Sequence, residues 1–350
     1  MAQISLDNLS FRYPGATADT LSGLNLEVAH AEAHALLGAS GAGKTTLLNL
    51  LSGLLVPTGG ALRMNGRDVS ALPGRARDVA QVFQFPVLYE SLSVADNLAF
   101  PLKTRGVSRA EIAERTAYIC EELQITALRE KKPHALSLFE KQLVAVGKAL
   151  VRPDVSLVLL DEPLTAVEPK IKWRLRQTLR KVQADLQVTM IYVTHDQTEA
   201  LTFADKVSVL TTGGILQTGT PEEVYAAPSH EFVGHFVGSP GMNFLPSKVV
   251  GVSQGERVGF RAEWASLSQQ SALSDGAVQG LVARIRIQGT RAGLPYGLVT
   301  VATEHGELSV RGELSLGGEK ELVVGDSVAI HVHKYVAFEA QHKVGEGELV

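Results

Sequence analysis

The stretch Gly38-Ala39-Ser40-Gly41-Ala42-Gly43-Lys44-Thr45-Thr46 decides the fold. It fits the pattern G-x-x-x-x-G-K-[ST]. A short apolar run at 33–37 precedes it, and Leu47-Leu48-Asn49-Leu50-Leu51 continues it. That order predicts a strand, a tight loop and a helix from about Lys44 to Leu54. The glycines let the backbone curl so that its N–H groups face one centre, and the helix start adds its positive end. Such a loop suits phosphates. Gly38, Ser40, Gly41, Ala42, Gly43, Lys44, Thr45 and Thr46 are therefore candidate nucleotide contacts. Lys44 would reach the β- and γ-phosphates, and the Thr45 hydroxyl would hold Mg²⁺.

Working outward, the apolar run Leu157-Val158-Leu159-Leu160 ends on Asp161-Glu162-Pro163. An acid pair closing a buried strand suits Mg²⁺-dependent nucleotide hydrolysis: Asp161 for the metal, Glu162 to polarise the attacking water. Val193-Thr194-His195-Asp196 sets a histidine at another strand end, where it could bond a γ-phosphate and orient that water. Gln84, in Gln81-Val82-Phe83-Gln84, could sense metal and water. Each feature is weak alone and strong beside the phosphate loop.

The whole chain has 350 residues, enough for about two domains. It is 45% hydrophobic and 20% charged, which excludes a disordered chain and a collagen. One cysteine, Cys120, rules out an internal disulfide and points to a reducing cytoplasm. A net charge of −4 gives no nucleic-acid footprint. The basic run Lys170, Lys172, Arg174, Arg176, Arg180, Lys181 reads as a solvated helix face. No run of about 18 apolar residues would span a bilayer, and the first residues do not read as a secretory leader.

Residues 1–28 read as two strands around the turn Tyr13-Pro14-Gly15. Residues 104–150 read as helical, with a capping box at Ser108 and Glu111. Strands at 157–160 and 190–193 flank a helix at 169–186, which argues for a mostly parallel sheet covered on both sides. After about residue 236 the texture changes. Short β-branched segments at 248–252, 258–260, 280–287, 298–301, 307–310, 320–324 and 328–333 predict a small all-β barrel or sandwich. His331 and His333 share one side of a strand, but no third ligand accompanies them.

In this order the pieces resemble the ATP-binding subunits of ABC transporters. Tyr13 to Tyr225 looks like the nucleotide-binding domain. His195-Asp-Gln-Thr-Glu-Ala-Leu-Thr-Phe-Ala-Asp-Lys206 and Gly219-Thr-Pro-Glu-Glu-Val-Tyr225 resemble the importer branch for sugars and polyols, a layout that sulfate and polyamine importers share. Gly238-Ser-Pro-Gly-Met-Asn-Phe-Leu245 and Gly259-Phe-Arg-Ala-Glu263 are similar to that branch's C-terminal domain. The resemblance implies an α/β P-loop nucleotide-binding domain over 1–236, with a helical subdomain at about 85–155, and an all-β, OB-like regulatory domain over 237–350. It implies ATP and Mg²⁺ as cofactors, and Tyr13 stacking on adenine. It implies that Gln84 is the loop glutamine linking the site to the membrane subunit, and that Asp161, Glu162 and His195 take the roles given above. Phe85 to Pro101 would meet transmembrane permease subunits at the cytoplasmic face of the inner membrane, in a system that includes a substrate-binding protein.

One stretch departs from the family. Where a Leu-Ser-Gly-Gly-Gln-type signature lends itself to a partner's ATP, this chain has Leu136-Ser137-Leu138-Phe139-Glu140. Leu138 and Phe139 add bulk where the dimer closes, and Glu140 brings a like charge toward a phosphate. Glu168 replaces the usual aspartate of the following loop. The chain's own site is complete, while the face it offers is impaired. This asymmetry predicts a heterodimer with a second ATPase of intact signature. The alternatives are a mainly regulatory ATP-binding subunit and, from another class, a soluble ABC ATPase of DNA repair or translation, which lacks support in any coiled-coil insertion.

Overall fold

A computed structural model describes residues 2–165, 169–269, 276–291, 294–316 and 320–349. The chain divides into two compact units, Met1–Pro221 and Glu222–Val350.

The first unit runs β1 (Ile4–Phe11), β2 (Leu21–Val28), β3 (Ala33–Gly38), α1 (Lys44–Ser52), β4 (Gly59–Met64), β5 (Arg67–Asp68) and β6 (Val79–Val82). Then come α2 (Val94–Lys103), α3 (Arg109–Glu122), α4 (Leu138–Leu150), β7 (Leu157–Asp161), α5 (Pro169–Leu186) and β8 (Thr189–Thr194). It closes with α6 (Gln197–Phe203), β9 (Lys206–Thr211) and β10 (Gly214–Gly219). One sheet has the order β10-β9-β3-β8-β7-β6, parallel except for β10. An antiparallel sheet has the order β2-β1-β4-β5. β3 and β8 are buried at every position, as strands covered on both faces must be. One face of the parallel sheet and α1 share a core with Ile4, Leu6 and Leu24 of the antiparallel sheet. The other face packs under α2, α3, α4 and α5. Cys120 lies in that second core, fully buried.

The helical reading of 104–150 is corrected to two helices, with α2 ahead of them. Gly106, at φ 72°, turns the chain between α2 and α3. Pro133 starts a short 3₁₀ turn before α4. Ser108 does cap α3, accepting the Glu111 N–H at 3.3 Å, but the reciprocal half of the expected box is absent among the described bonds. The complete capping box is at α4, between Ser137 and Glu140. α4 seats tightly because Gly147 leaves no side chain; a Cβ there would stand 2.9 Å from Leu98 Cδ2.

In the second unit, helices α7 (Pro221–Ala226) and α8 (Glu231–Phe236) lead into antiparallel sheets. One has the order Asn243–Pro246, Arg257–Phe260, Lys334–Glu339, His342–Glu348. The other has the order Ala265–Gln269, Ser327–Val332, Val278–Arg291, Leu294–Thr303, Gly306–Glu313. The β-rich expectation holds in kind. Its first segment is corrected: 247–250 is a 3₁₀ turn closed by Gly251 at φ 72°. The change of texture near 236 falls inside this unit, because fully buried Arg261 ties the helices to the strands. Its guanidinium donates to the carbonyls of Tyr225, Gly234 and Val237 and lies 4.2 Å over the Tyr225 ring. Burial pushes the Arg261 pKa down to about 10. His331 and His333 bond Ser268 and Ser266, and no metal-ligating cluster occurs among the described residues.

Candidate functional site

The loop at 38–43 turns on its three glycines. Gly41 and Gly43 have φ of 82° and 90°. A Cβ on Gly43 would sit 2.6 Å from Leu21, and one on Gly38 2.6 Å from the Leu210 carbonyl. Left-handed backbone at Gly41 and Gly43 and close approach to backbone at Gly38 favour glycine. The loop opens onto a cleft of about 340 Å³ lined by Thr20, Ser40, Gly41, Gly43, Lys44, Thr45, Thr46 and Glu162. Ala42 is buried beneath it. Thr20, which the sequence reading missed, arrives from the start of β2 and carries no local motif.

Lys44 opens α1 and is nearly buried. Its ammonium donates to the carbonyls of Gly38 and Ala39 at 2.8 and 2.9 Å. Burial pushes its pKa down, while Glu162 and Asp161 pull it back up. Loop carbonyls thus hold a charge that a phosphate would hold better. Tyr13 packs edge-on against Phe11, its hydroxyl 3.1 Å from the Thr46 hydroxyl. Tyr13 remains 41% exposed, which leaves ring surface free for a planar base.

Of two neighbouring acids, Glu162 lines this cleft and Asp161 bonds a residue that lines it. Asp161 ends β7 and accepts from the Thr45 hydroxyl at 3.5 Å. In an extended strand the next side chain would point to the opposite face. Glu162 instead adopts φ 44°, left-handed backbone that costs about 1–2 kcal/mol in a residue with a Cβ. Its N–H still donates to the Val193 carbonyl at 3.0 Å. The turn brings its carboxylate to the same cleft, 3.0 Å from His195 Nδ1, with the Thr165 hydroxyl donating at 3.1 Å.

His195 follows β8, whose end is fixed by a network the sequence reading did not find. Buried Glu199 accepts from Tyr192, Thr194 and Lys172 at 2.9 to 3.0 Å. Asp196 caps α6 through the N–H groups of Thr198 and Glu199. The basic helix face is thereby partly paired: besides Lys172, Arg180 meets Asp205 and Lys181 meets Glu122. Signals for this network are scattered over three elements, so only folding assembles it.

Burial, then the charge of Glu162, pushes the Asp161 pKa up from the carboxylate range. A hydroxyl and a carboxylate beside a second acid form a hard-oxygen set that suits Mg²⁺. Asp161→Asn should remove the repulsion. The unliganded chain should melt about 2–4 °C higher, a gain of roughly 1 kcal/mol, and lose the rise that Mg²⁺ with ATP confers. Thermal melting with and without both ligands checks this.

Gln84 lies past the end of β6, half-buried, with no hydrogen bond to Thr45, Asp161 or Glu162 among the described residues. Beyond it Phe85 and Val87 are 68% and 59% exposed. Glu168 falls outside the described residues. At the start of α4, Ser137 and Glu140 bond each other: the Ser137 N–H donates to Glu140 Oε2 at 2.7 Å, and the Glu140 N–H donates to Ser137 Oγ at 3.2 Å. The Ser137 N–H holds the Glu140 pKa below the usual range. Leu138 is exposed, but Phe139 is half-buried against the helical core, so the expected outward bulk is mainly that of Leu138.

No helix among the described residues is long and apolar enough to cross a membrane. The ABC transporter family profile matches residues 21–165. The sn-glycerol-3-phosphate import ATP-binding protein UgpC of Cupriavidus metallidurans is 43% identical over 73% of this chain and 69% of its own length. The diacetylchitobiose uptake system ATP-binding protein MsiK of Streptomyces coelicolor is 42% identical over 70% of this chain and 65% of its own. The maltose/maltodextrin import ATP-binding protein MalK of Yersinia pestis is 45% identical over 65% and 61%. Among solved structures, cbiO1 of Clostridium perfringens, part of the ABC transporter complex cbiONQ, matches with TM-score 0.60 and 28% identity, over 64% of this chain and 90% of its own. On these likenesses the chain belongs to the ABC transporter family, as one of its ATP-binding, ATP-hydrolysing subunits.

Proposed function

We propose that this subunit powers a membrane importer of a carbohydrate or polyol, such as a sugar, glycerol or glycerol phosphate. It would sit peripherally on the cytoplasmic face of the inner membrane, with a substrate-binding protein feeding the system. The names of its relatives support the substrate class. The exposed Phe85 and Val87 suit an apolar contact with permease subunits across Phe85 to Pro101. Within the site, Lys44 exchanges loop carbonyls for β- and γ-phosphate oxygens, and Tyr13 offers its ring to adenine. Thr45 and Asp161 would hold Mg²⁺, which would neutralise charge on the phosphates. Glu162, oriented by His195 and Thr165, takes the proton of the attacking water. Gln84, one residue before Phe85, would link this site to the permease contact.

The reading extends to a second ATPase subunit with an intact signature, giving one active and one degenerate ATP site. The observation that carries it is the carboxylate of Glu140 folded onto the first turn of α4. A helix start is where an anion would bind, and here an internal anion already bonds the Ser137 N–H. A partner's γ-phosphate would meet like charge and an occupied donor. The test is the Mg²⁺-dependent ATPase rate of the chain alone, then with the second ATPase of its complex. The expected result is no rate above a Glu162→Gln control alone, and activity once the partner is added. An active, transport-competent complex holding only this ATPase would overturn the pairing.

A further inference from the structure

Lys148 stands near the far end of the helix that begins at Ser137 and Glu140. The helix rises about 1.5 Å per residue, so ten residues from Leu138 to Lys148 span about 15 Å. The Lys148 ammonium is drawn inward and donates to the Val87 carbonyl at 2.9 Å. It also lies 4.7 Å over the Tyr89 ring. No carboxylate partners it among the described residues, and burial pushes its pKa down. Lys148 is half-buried, and its two loop contacts are the partners its ammonium has among the described residues.

That loop is gripped from a second side. Fully buried Asn97 of α2 accepts from the Tyr89 N–H at 2.8 Å and donates to the Tyr89 carbonyl at 3.1 Å. The Tyr89 ring packs 4.5 Å from Phe100, also of α2. Phe85 and Val87 nevertheless present their side chains outward. Asn97 ties the loop to α2 alone, whereas Lys148 ties it to the helix whose other end would face a nucleotide.

We propose that Lys148 is a positioning residue that locks the apolar 85–89 loop to α4, so that movement of α4 as the two ATPases close on each other reaches the membrane partner. This rests on the importer reading above. Without the ammonium the loop would remain held by Asn97 to α2, which packs on α4 through Leu98, but would lose its direct tie to α4, and hydrolysis would be less tightly coupled to transport.

The test compares Lys148→Met, which keeps the stem and removes the charge, with Lys148→Arg, which restores a donor and a cation over the ring. The complete transporter complex is reconstituted in vesicles, and substrate moved per ATP hydrolysed is measured. Lys148→Met should lower that ratio by about tenfold, the worth of one charge-assisted hydrogen bond, and Lys148→Arg should restore most of it. Basal hydrolysis and melting temperature should stay near wild type. Amide exchange over 85–89 should quicken in the methionine variant, while exchange in α1 stays unchanged. An unchanged ratio in Lys148→Met beside a transporting wild type overturns the coupling alone. A parallel loss of hydrolysis and transport that arginine does not rescue assigns Lys148 a structural role and overturns it too. A wild-type complex that hydrolyses ATP but moves no carbohydrate or polyol overturns the importer reading, and the coupling with it.

Discussion

Glu162→Gln should reduce steady-state ATP hydrolysis by the assembled complex by about 100- to 10,000-fold, the usual contribution of a general base. ATP affinity should hold or tighten, because glutamine keeps the volume and sheds a negative charge beside the phosphates. The argument starts from backbone. Left-handed φ at Glu162 is tolerated only because its N–H remains tied to Val193 and its carboxylate finds His195 and Thr165. Strain held in place by surrounding bonds at a cleft points to chemistry rather than packing. Single-turnover hydrolysis alongside equilibrium nucleotide binding separates the two effects. A variant that retains near wild-type turnover would assign the base elsewhere and favour a subunit that binds ATP without consuming it.

Lys44→Ala should act one step earlier. Charge-assisted bonds contribute about 1.5–3 kcal/mol each, so removing the ammonium should weaken ATP binding by about 100-fold or more. The stabilisation that ATP gives in thermal melting should disappear with it. The unliganded fold should lose about 1–3 kcal/mol, since the exposed Ala39 carbonyl can turn to water while the Gly38 carbonyl, at the buried end of β3, loses its donor. Titration calorimetry with ATP checks the affinity, and melting without ligand checks the fold. Together the two variants divide the site: one should bind without turnover, the other should fail to bind.

The parts of the site that were legible in sequence are those whose chemistry is local. The φ values of Gly41 and Gly43 favour glycine, and Lys44 opens the next helix, so the phosphate loop reads from consecutive residues. β7 and β8 were legible as short apolar runs ending in polar residues. The capping pair Ser137 and Glu140 is equally local, and its serine-x-x-glutamate spacing was readable as a box. Its place in the departed signature masks that spacing, and at Ser108, which has the same spacing to Glu111, only half of a box forms.

Residues far apart in the chain carried what the sequence left open. Val87 and Lys148 are 61 residues apart. Arg261 gathers carbonyls of Tyr225, Gly234 and Val237, and so joins two helices to the β-rich unit although composition changes later. Glu199 recruits hydroxyls from β8 and an ammonium from α5 to fix the strand end that carries His195. Glycine dihedrals, strand runs and caps cost or gain free energy within a few residues, so by itself the sequence determined the phosphate loop, the acid pair and the α/β class. Only the tertiary structure decided which face Glu162 serves, what anchors the loop beyond Gln84 and where the units divide, because those depend on burying charged groups against partners that the linear order does not pair.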